Sequence, residues 1–252
     1  MQNVEGPQER AGQSDAVVII PALNEEGTIG GVVETLRSAA PEVDVLVIDD
    51  GSSDGTARVA AAHGARILSH PFNLGYGSAL QTGYKYAAAS RYAFLVQMDA
   101  DGQHDARDVR RLLAPLRSGV ADVALGSRFS GGGNFHMGRV RRFGRACLQR
   151  LLHLCGGPRV ADPTSGFQAY TRSVFGFCTG EFYPTDFPDV DVLLTLHRHG
   201  FRIVEVPVTM APNPPSRIPM HSGLHVLYYS YKMLLATLRS ALAPRQTIDL
   251  PS

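Results

Sequence analysis

The stretch "YAFLVQMDADGQHDARDV", residues 92–109, changes character in the middle, and that change decides the fold. Its first part, 92–98, is almost continuously apolar, as expected of a strand covered on both faces in a parallel sheet. Its second part crowds Asp99, Asp101, Gln103, His104 and Asp105 onto the carboxyl end of that strand. Asp99 and Asp101 are two residues apart, so their side chains can face one side and share a divalent cation through oxygen ligands. Asp105 is the better cap for a helix beginning near Ala106. The remaining pair needs a cation or donors, because like charges held together repel. An EF-hand does not fit: Gly102 falls at loop position four instead of six, and Arg110 stands where the bidentate glutamate belongs. His104 abuts the cluster either as a ligand or as support for one.

Outward from this stretch, apolar runs at 16–20, 43–49, 65–70 and 122–127 repeat the strand pattern, with helical patterns at 26–39, 54–63, 77–90 and 106–118 between them. This βαβαβ alternation predicts an α/β layer fold with right-handed crossovers. Ligands in such sheets bind at the carboxyl ends of the strands. "PALNEE", "DDGSSDGT" and "DADGQHD" follow three of the strands, so one sheet edge gathers three polar clusters. After Gly126 the alternation stops. A glycine-rich loop leads to a helix near 139–154, "ADPTSGFQAYT" gives a turn and short strand, "PDVDVLLTLHRHG" a helix, and "FRIVEVPVTM" a last strand.

Composition narrows the function classes. The 252 residues suit one domain with a modest appendage: a leader at 1–14 expected to be disordered, a catalytic unit at 15–212, and a loop plus helix at 213–252. A net charge of +1 gives no argument for nucleic-acid binding. The leader lacks an apolar segment after a basic start and does not read as a signal peptide. Cys147, Cys155 and Cys178 are odd in number and lie among apolar neighbours, which predicts buried thiols in a reducing, cytoplasmic setting. "GLHVLYYSYKMLLATLRSALA" contains Lys232 and Arg239 within barely the ~20 residues that span a bilayer. Spanning is disfavoured. An amphipathic helix on the inner membrane face, one packed on the domain, and one pairing in a homodimer all stay open.

The first strand is followed by "PALNEEGTIGG" where a dinucleotide fold would need G-x-G-x-x-G, and no P-loop is present. Pro21, Asn24 and Glu25 supply a stiff turn and hydrogen-bonding side chains, better suited to gripping a nucleoside than to wrapping a phosphate. Asp49 and Asp50 can accept from ribose hydroxyls or a base N–H, whereas Asp54 suits a helix cap. Between 123 and 161 there are seven arginines and no acid, with Arg141 and Arg145 one turn apart, a tract able to attract a phosphate. His221, in "IPMHSG", could close over the site or be an ordinary loop residue.

"IPALNEE", "VLVIDDGSSDGT", "NLGYGSALQTGY", "QMDADGQHD", "LGSRF" and "DPTSGFQAYTR", taken in order over about 17–242, resemble the family 2 glycosyltransferases of GT-A fold, in particular the dolichol-phosphate mannose synthase-like enzymes. The resemblance implies a Rossmann-like, mostly parallel sheet flanked by helices. It implies that Pro21, Ala22, Glu25, Ile48 and Asp50 hold the base and ribose, continued by Asp99 and Ala100. Asp101 and Gln103 would bind Mg²⁺ or Mn²⁺. Arg128 and Arg145 would contact phosphates, and Asp162, Ser165 and Gly166 match the acceptor side. It further implies inverting transfer from a nucleotide-diphosphate sugar to a polyprenyl phosphate. A glycan or small-molecule hydroxyl is the alternative, needing a base: Asp191 first, Asp189 second. A binding protein without turnover is the third reading. Two departures stand out. Gln168 replaces the arginine usual after "SGF", and of the basic loop near the end only Arg217 remains.

Overall fold

Residues 16–20 carry no polar side chain, and the chain uses them at the middle of its sheet. The computed structural model describes residues 14–130, 139–181, 183–184, 188, 190–211, 235, 237, 239 and 240. Among these, strands β1 (Ala16–Ala22), β2 (Asp44–Asp49), β3 (Arg66–Ser69), β4 (Phe94–Gln97), β5 (Val123–Ser127), β6 (Gln168–Thr171) and β7 (Ile203–Pro207) form one sheet in the order β3-β2-β1-β4-β6-β5-β7. All neighbours pair in parallel except β6, which is antiparallel to both β4 and β5. The helices are α1 (Ile29–Ala39), α2 (Thr56–Ala62), α3 (Tyr76–Ala89), α4 (Asp108–Arg117), α5 (Arg139–Leu154), α6 (Arg172–Phe177) and α7 (Val190–Arg198).

The alternation of a strand sends successive side chains to opposite faces, and β1 feeds two cores. Val18 and Ile20 pack with Leu36 of α1 and with Leu112 and Leu116 of α4. Val17 and Ile19 pack with Leu80 and Tyr84 of α3 and Phe175 of α6. Each such fully buried aliphatic side chain contributes about 1.5–3 kcal/mol. α4 follows from its spacing: Val109, Leu112, Leu113 and Leu116 make one apolar stripe, all buried. Gly119, at φ +70°, follows its end in the left-handed region where a helix terminates readily.

The mostly parallel, doubly covered sheet agrees with the sequence expectation, and three differences are informative. The helix expected at 26–39 starts at Ile29, because the carbonyl of Glu25 accepts from the N–H groups of Thr28 and Ile29 and folds the preceding residues into a turn. α6 was not anticipated; its six residues bury Val174, Phe175 and Phe177 against the α3 side. Of the cysteines only Cys178 is buried, its thiol pushed up by burial; Cys155 is half-buried and Cys147 exposed, which corrects the expectation of three buried thiols. Little of the C-terminal segment lies within the described residues. Thr237 there is buried and Arg198 of α7 donates to the Ser240 carbonyl (2.6 Å), so this part packs on the domain.

β6 is what positions the functional edge. An antiparallel strand begins where its neighbour ends, so Gln168 sits opposite Gln97 and the loop entering β6 arrives beside the carboxyl end of β4. The carbonyl of Phe167 in that loop accepts from Gly126 near the end of β5 (2.8 Å). The chain thereby brings the ends of β1, β2, β4 and β5 and the 162–167 turn to one edge.

Away from that edge, Arg110 of α4 grips Glu42 through Nε and Nη2 (2.6 and 2.7 Å). These bonds hold the Glu42 carboxyl at about 2, down from 4.5. A lowered carboxyl favours the folded chain above its unfolded value, and that contribution fades as pH falls through about 2. In Arg110→Ala the Glu42 carboxyl is expected to titrate near its ordinary value, read from its side-chain carbon by NMR, with only a small loss of stability at neutral pH because the pair is at the surface.

Candidate active site

The β1–α1 and β2–α2 connections are laced together by their own side chains. Asn24 adopts φ 55°, a conformation asparagine tolerates, and its Oδ1 accepts from the Ser53 N–H (2.9 Å) while its own N–H donates to Ser52 Oγ (2.9 Å). Glu25 N–H donates to Thr56 Oγ1 (2.7 Å), and Glu25 Oε2 accepts from Thr28 Oγ1 (2.6 Å). Asp54 accepts from Thr56 N–H (2.9 Å) and Glu26 N–H (3.1 Å), tying the start of α2 to the β1–α1 connection; the N-cap position itself is taken by Gly55. Asp49 accepts from Ser52 N–H (3.1 Å). Gly51, at φ +75°, brings the turn so near the 72–73 backbone that an added Cβ would lie 2.5 Å from the Phe72 carbonyl carbon.

Asp50 is the anchor of this half of the site. Its Oδ1 is 2.7 Å from His70 Nδ1 and accepts from Leu74 N–H (2.9 Å), and its Oδ2 accepts from Gly75 N–H (2.9 Å). The carboxylate therefore fixes the loop that opens α3 and retains acceptor capacity at Oδ2. Pro21, Ala22 and Ile48 lie beside it at the paired ends of β1 and β2.

At the end of β4, Asp99 accepts from Tyr76 OH (2.8 Å) and pairs with His104 Nε2 (3.1 Å). Burial pushes its carboxyl up, but the bonds from His104 and Tyr76, with the charges of His104 and Arg128, together hold it below the usual range. Gly166 lies against it: a Cβ there would be 2.8 Å from Oδ2. Asp101 is held differently. Burial first, and then the charge of Asp99, raise its carboxyl, while the Gln103 N–H (3.0 Å) opposes the rise. Gln103 Nε2 also donates to Asp101 Oδ2 (2.6 Å). A divalent cation is the natural counterweight to such a pair. Among the described residues no three of the His, Cys, Asp and Glu side chains converge as a metal cage. Asp101 with the Gln103 amide oxygen nevertheless fits a hard cation that takes its other oxygens from phosphates and water.

The acceptor-side residues form a linked set. Arg128 Nε and Nη2 grip the two oxygens of fully buried Asp162 (2.6 Å each). Glu205 of β7 holds the same turn by accepting from the N–H groups of Ala161 (2.8 Å) and Asp162 (2.9 Å). The fork of Arg128, foreseen as a phosphate contact, is thus spent on Asp162. Arg145 lies over the Phe129 ring at 3.8 Å, with Arg128 at 5.6 Å from the same ring, so the two guanidiniums are brought together. Arg145 Nη1 donates to the Ala161 carbonyl (3.3 Å), and its buried Nε has no partner among the described residues. Ser165 Oγ accepts from Phe167 N–H (3.3 Å). Gln168 points into the core, donating to the Ser165 carbonyl (2.7 Å) and accepting from Tyr170 OH (2.5 Å). Asp191 is buried in the first turn of α7. Asp189, Arg217 and His221 lie outside the described residues.

Four participants escaped the sequence reading: Tyr76, His70, Thr56 and Glu205. Glu205 had a visible mark, an acid inside the apolar run "RIVEVPV". A buried relay backs Tyr76, with Gln97 Nε2 donating to its hydroxyl (3.4 Å) and Tyr84 OH donating to Gln97 Oε1 (2.7 Å).

Comparisons with known proteins place the chain in a family. Residues 17–177 match the profile of glycosyl transferase family 2. The undecaprenyl-phosphate mannosyltransferase of Micrococcus luteus is 33% identical over 219 residues, covering 82% of this chain and 88% of that one. The polyprenol monophosphomannose synthase of Mycolicibacterium smegmatis is 31% identical over 214 residues, covering 77% and 76%. Among solved structures, glucosyl-3-phosphoglycerate synthase of Mycobacterium tuberculosis, in complex with Mn²⁺ and UDP-glucose, superposes with a TM-score of 0.67 at 27% identity over 92% of this chain and 79% of that one.

Replacing Gly166 by Ala is expected to push the Asp99 carboxylate off its Tyr76 and His104 partners. Urea unfolding should show a loss of about 1–3 kcal/mol, the usual cost of leaving buried polar groups unmatched.

Proposed function

Because the chain belongs to glycosyl transferase family 2, we propose that this enzyme moves a sugar, with inversion, from a nucleotide-diphosphate sugar to a polyprenyl phosphate. The observation that carries the donor half is the β4 terminus, where Asp99 is held ionised by Tyr76 and His104 beside a raised Asp101. The acceptor half rests on the two relatives named for transfer to polyprenyl phosphates. Pro21, Ala22, Asn24, Glu25, Ile48 and Asp50 frame the base and ribose between two loops already fixed to each other. Asp99 and Ala100 continue that wall toward the diphosphate. Asp101 and Gln103 would hold one Mg²⁺ or Mn²⁺, which when bound supplies neutralisation of the departing diphosphate. Arg145, whose buried Nε has no partner among the described residues, would offer its charge to a phosphate, and Arg128 sets the 162–166 turn through Asp162.

A phosphate acceptor is ionised at neutral pH. Its oxygen attacks the anomeric carbon as the bond to the diphosphate breaks, and no protein base takes a proton. Rate enhancement then comes from orientation and charge placement on a preset frame. Such an acceptor resides in a membrane, so the enzyme works at a membrane surface. No helix among the described residues is long and apolar enough to cross one. A second reading, transfer to a hydroxyl with Asp191 as base, is favoured by one observation: the neutral Gln168 is turned inward, where it offers no charge to an acceptor phosphate.

Screening nucleotide sugars with Mg²⁺ or Mn²⁺ for hydrolysis, and then for transfer to polyprenyl phosphates, tests the assignment directly. Asp101→Ala should lower metal-dependent turnover by about 100-fold or more; unchanged turnover would remove the cation from this position. Asp191→Asn separates the acceptor classes. A change below about tenfold is expected with a phosphate acceptor, whereas a loss of about 10²–10⁴ is the signature of a missing general base and would favour the hydroxyl.

A further inference from the structure

Behind the Asp101–Gln103 pair, between α1 and the 102–107 loop, lies a cavity of about 710 Å³, within the size range of ligand pockets at roughly 300–1,000 Å³. One wall is the "QMDADGQHD" stretch seen from the side away from Asp99 and Asp101. Its far wall is built deliberately: the chain leaving β7 is stitched to the metal loop by Ala211 N–H donating to the Gln103 carbonyl (2.8 Å), by a bridge between His104 and Met210, and by Thr209 N–H donating to Asp108 Oδ2 (2.7 Å). Its floor is apolar and buried, with Val32, Met98 and Ala106.

The polar groups around it are mostly spent. Thr35 donates its hydroxyl to the Gly31 carbonyl (2.7 Å) and Thr28 donates to Glu25 (2.6 Å). Asp105, the only carboxylate among its described lining residues, is gripped by Arg107 (2.6 and 3.0 Å). An ionic ligand would find no uncompensated charge there to balance its desolvation. A hydrocarbon would gain from every apolar surface it covers. His104 also lines the cavity; only 5% of it is exposed, and its Nδ1 has no partner among the described residues.

We propose that this cavity receives the isoprenoid chain of the acceptor. This rests on the polyprenyl-phosphate reading above and deepens it. The lipid lies with its hydrocarbon along the floor and its phosphate turned toward Asp101. Continuity argues for this occupant, because Gln103 belongs both to the cation pair and to the cavity wall.

Gly31 gives a clean test. It lines the cavity, and a Cβ added there meets nothing within 4 Å, so Gly31→Leu fills the space without disturbing the backbone and replaces a helical glycine. The readout is the ratio of kcat/KM for undecaprenyl phosphate to that for geranyl phosphate in detergent, at saturating nucleotide sugar, using the full chain. The ratio should fall about tenfold or more. Gly176→Leu, an equally open glycine on α6, should leave it unchanged. An unaltered ratio in Gly31→Leu, or an equal loss with both lipids, overturns the cavity assignment while sparing the acceptor class. If the wild-type chain transfers sugar to a hydroxyl and to neither lipid phosphate, both readings fall.

Discussion

The carboxylate of Asp99, about a third exposed (32%) at the end of β4, is the constraint to which the rest of the structure answers. An ionised carboxylate partly removed from water is costly unless donors surround it. Here the donors come from two parts of the chain, Tyr76 opening α3 and His104 following β4, while Gly166 in the loop entering β6 leaves the space beside the carboxylate clear. That loop reaches Asp99 only because β6 runs antiparallel and begins where β4 ends. The reversal in an otherwise parallel sheet is therefore the means by which the loop entering β6 meets Asp99. The relay of Tyr84, Gln97 and Tyr76 extends the same logic into the core, since each buried polar group must itself be satisfied.

Nucleotide-side residues show a second consequence. Asn24, Glu25 and Asp50 are not idle side chains awaiting a ligand; each already holds a neighbouring loop. Their bonds fix the β1–α1, β2–α2 and β3–α3 connections relative to one another before anything binds. A frame of this kind reduces the ordering cost of association, and it keeps dipoles aimed without reorganisation during the reaction.

The parallel core was legible in the sequence for a physical reason. Strands covered on both faces must be apolar throughout, so β1, β2, β4 and β5 appear as unbroken runs and the acids at their ends stand out. What lay hidden depended on partners distant along the chain. The resemblance implied that Arg128 contacts phosphate, yet its partner Asp162 stands just beyond the acid-free tract 123–161, and Glu205, which braces that turn, comes from β7. α6 is too short to declare a helical period, and its apolar residues read equally well as a continuing strand. Cys147 sits among apolar letters, but it falls on an exposed face of α5, a matter of helical phase that neighbouring letters do not reveal.

The electrostatics of the acceptor side bear on how a lipid phosphate is held. Where an arginine is usual, Gln168 is neutral and committed to the core, and the Arg128 charge is matched by Asp162. Arg128 and Arg145 face two carboxylates at the 162–166 turn, Asp162 and Glu205, so the turn carries little net charge, and the group left to meet a phosphate is Arg145, whose buried Nε has no partner among the described residues. One charge-assisted hydrogen bond contributes roughly 1.5–3 kcal/mol, well short of the ~8 kcal/mol that corresponds to micromolar binding. The remainder has to come from elsewhere on the ligand. A polyprenyl chain provides it by burying hydrocarbon, and the cavity under α1 lies where such a chain would leave the cation pair. Weak phosphate recognition and an apolar recess beside it are therefore two sides of one arrangement, in which affinity comes from the tail and the head group is left to the chemistry.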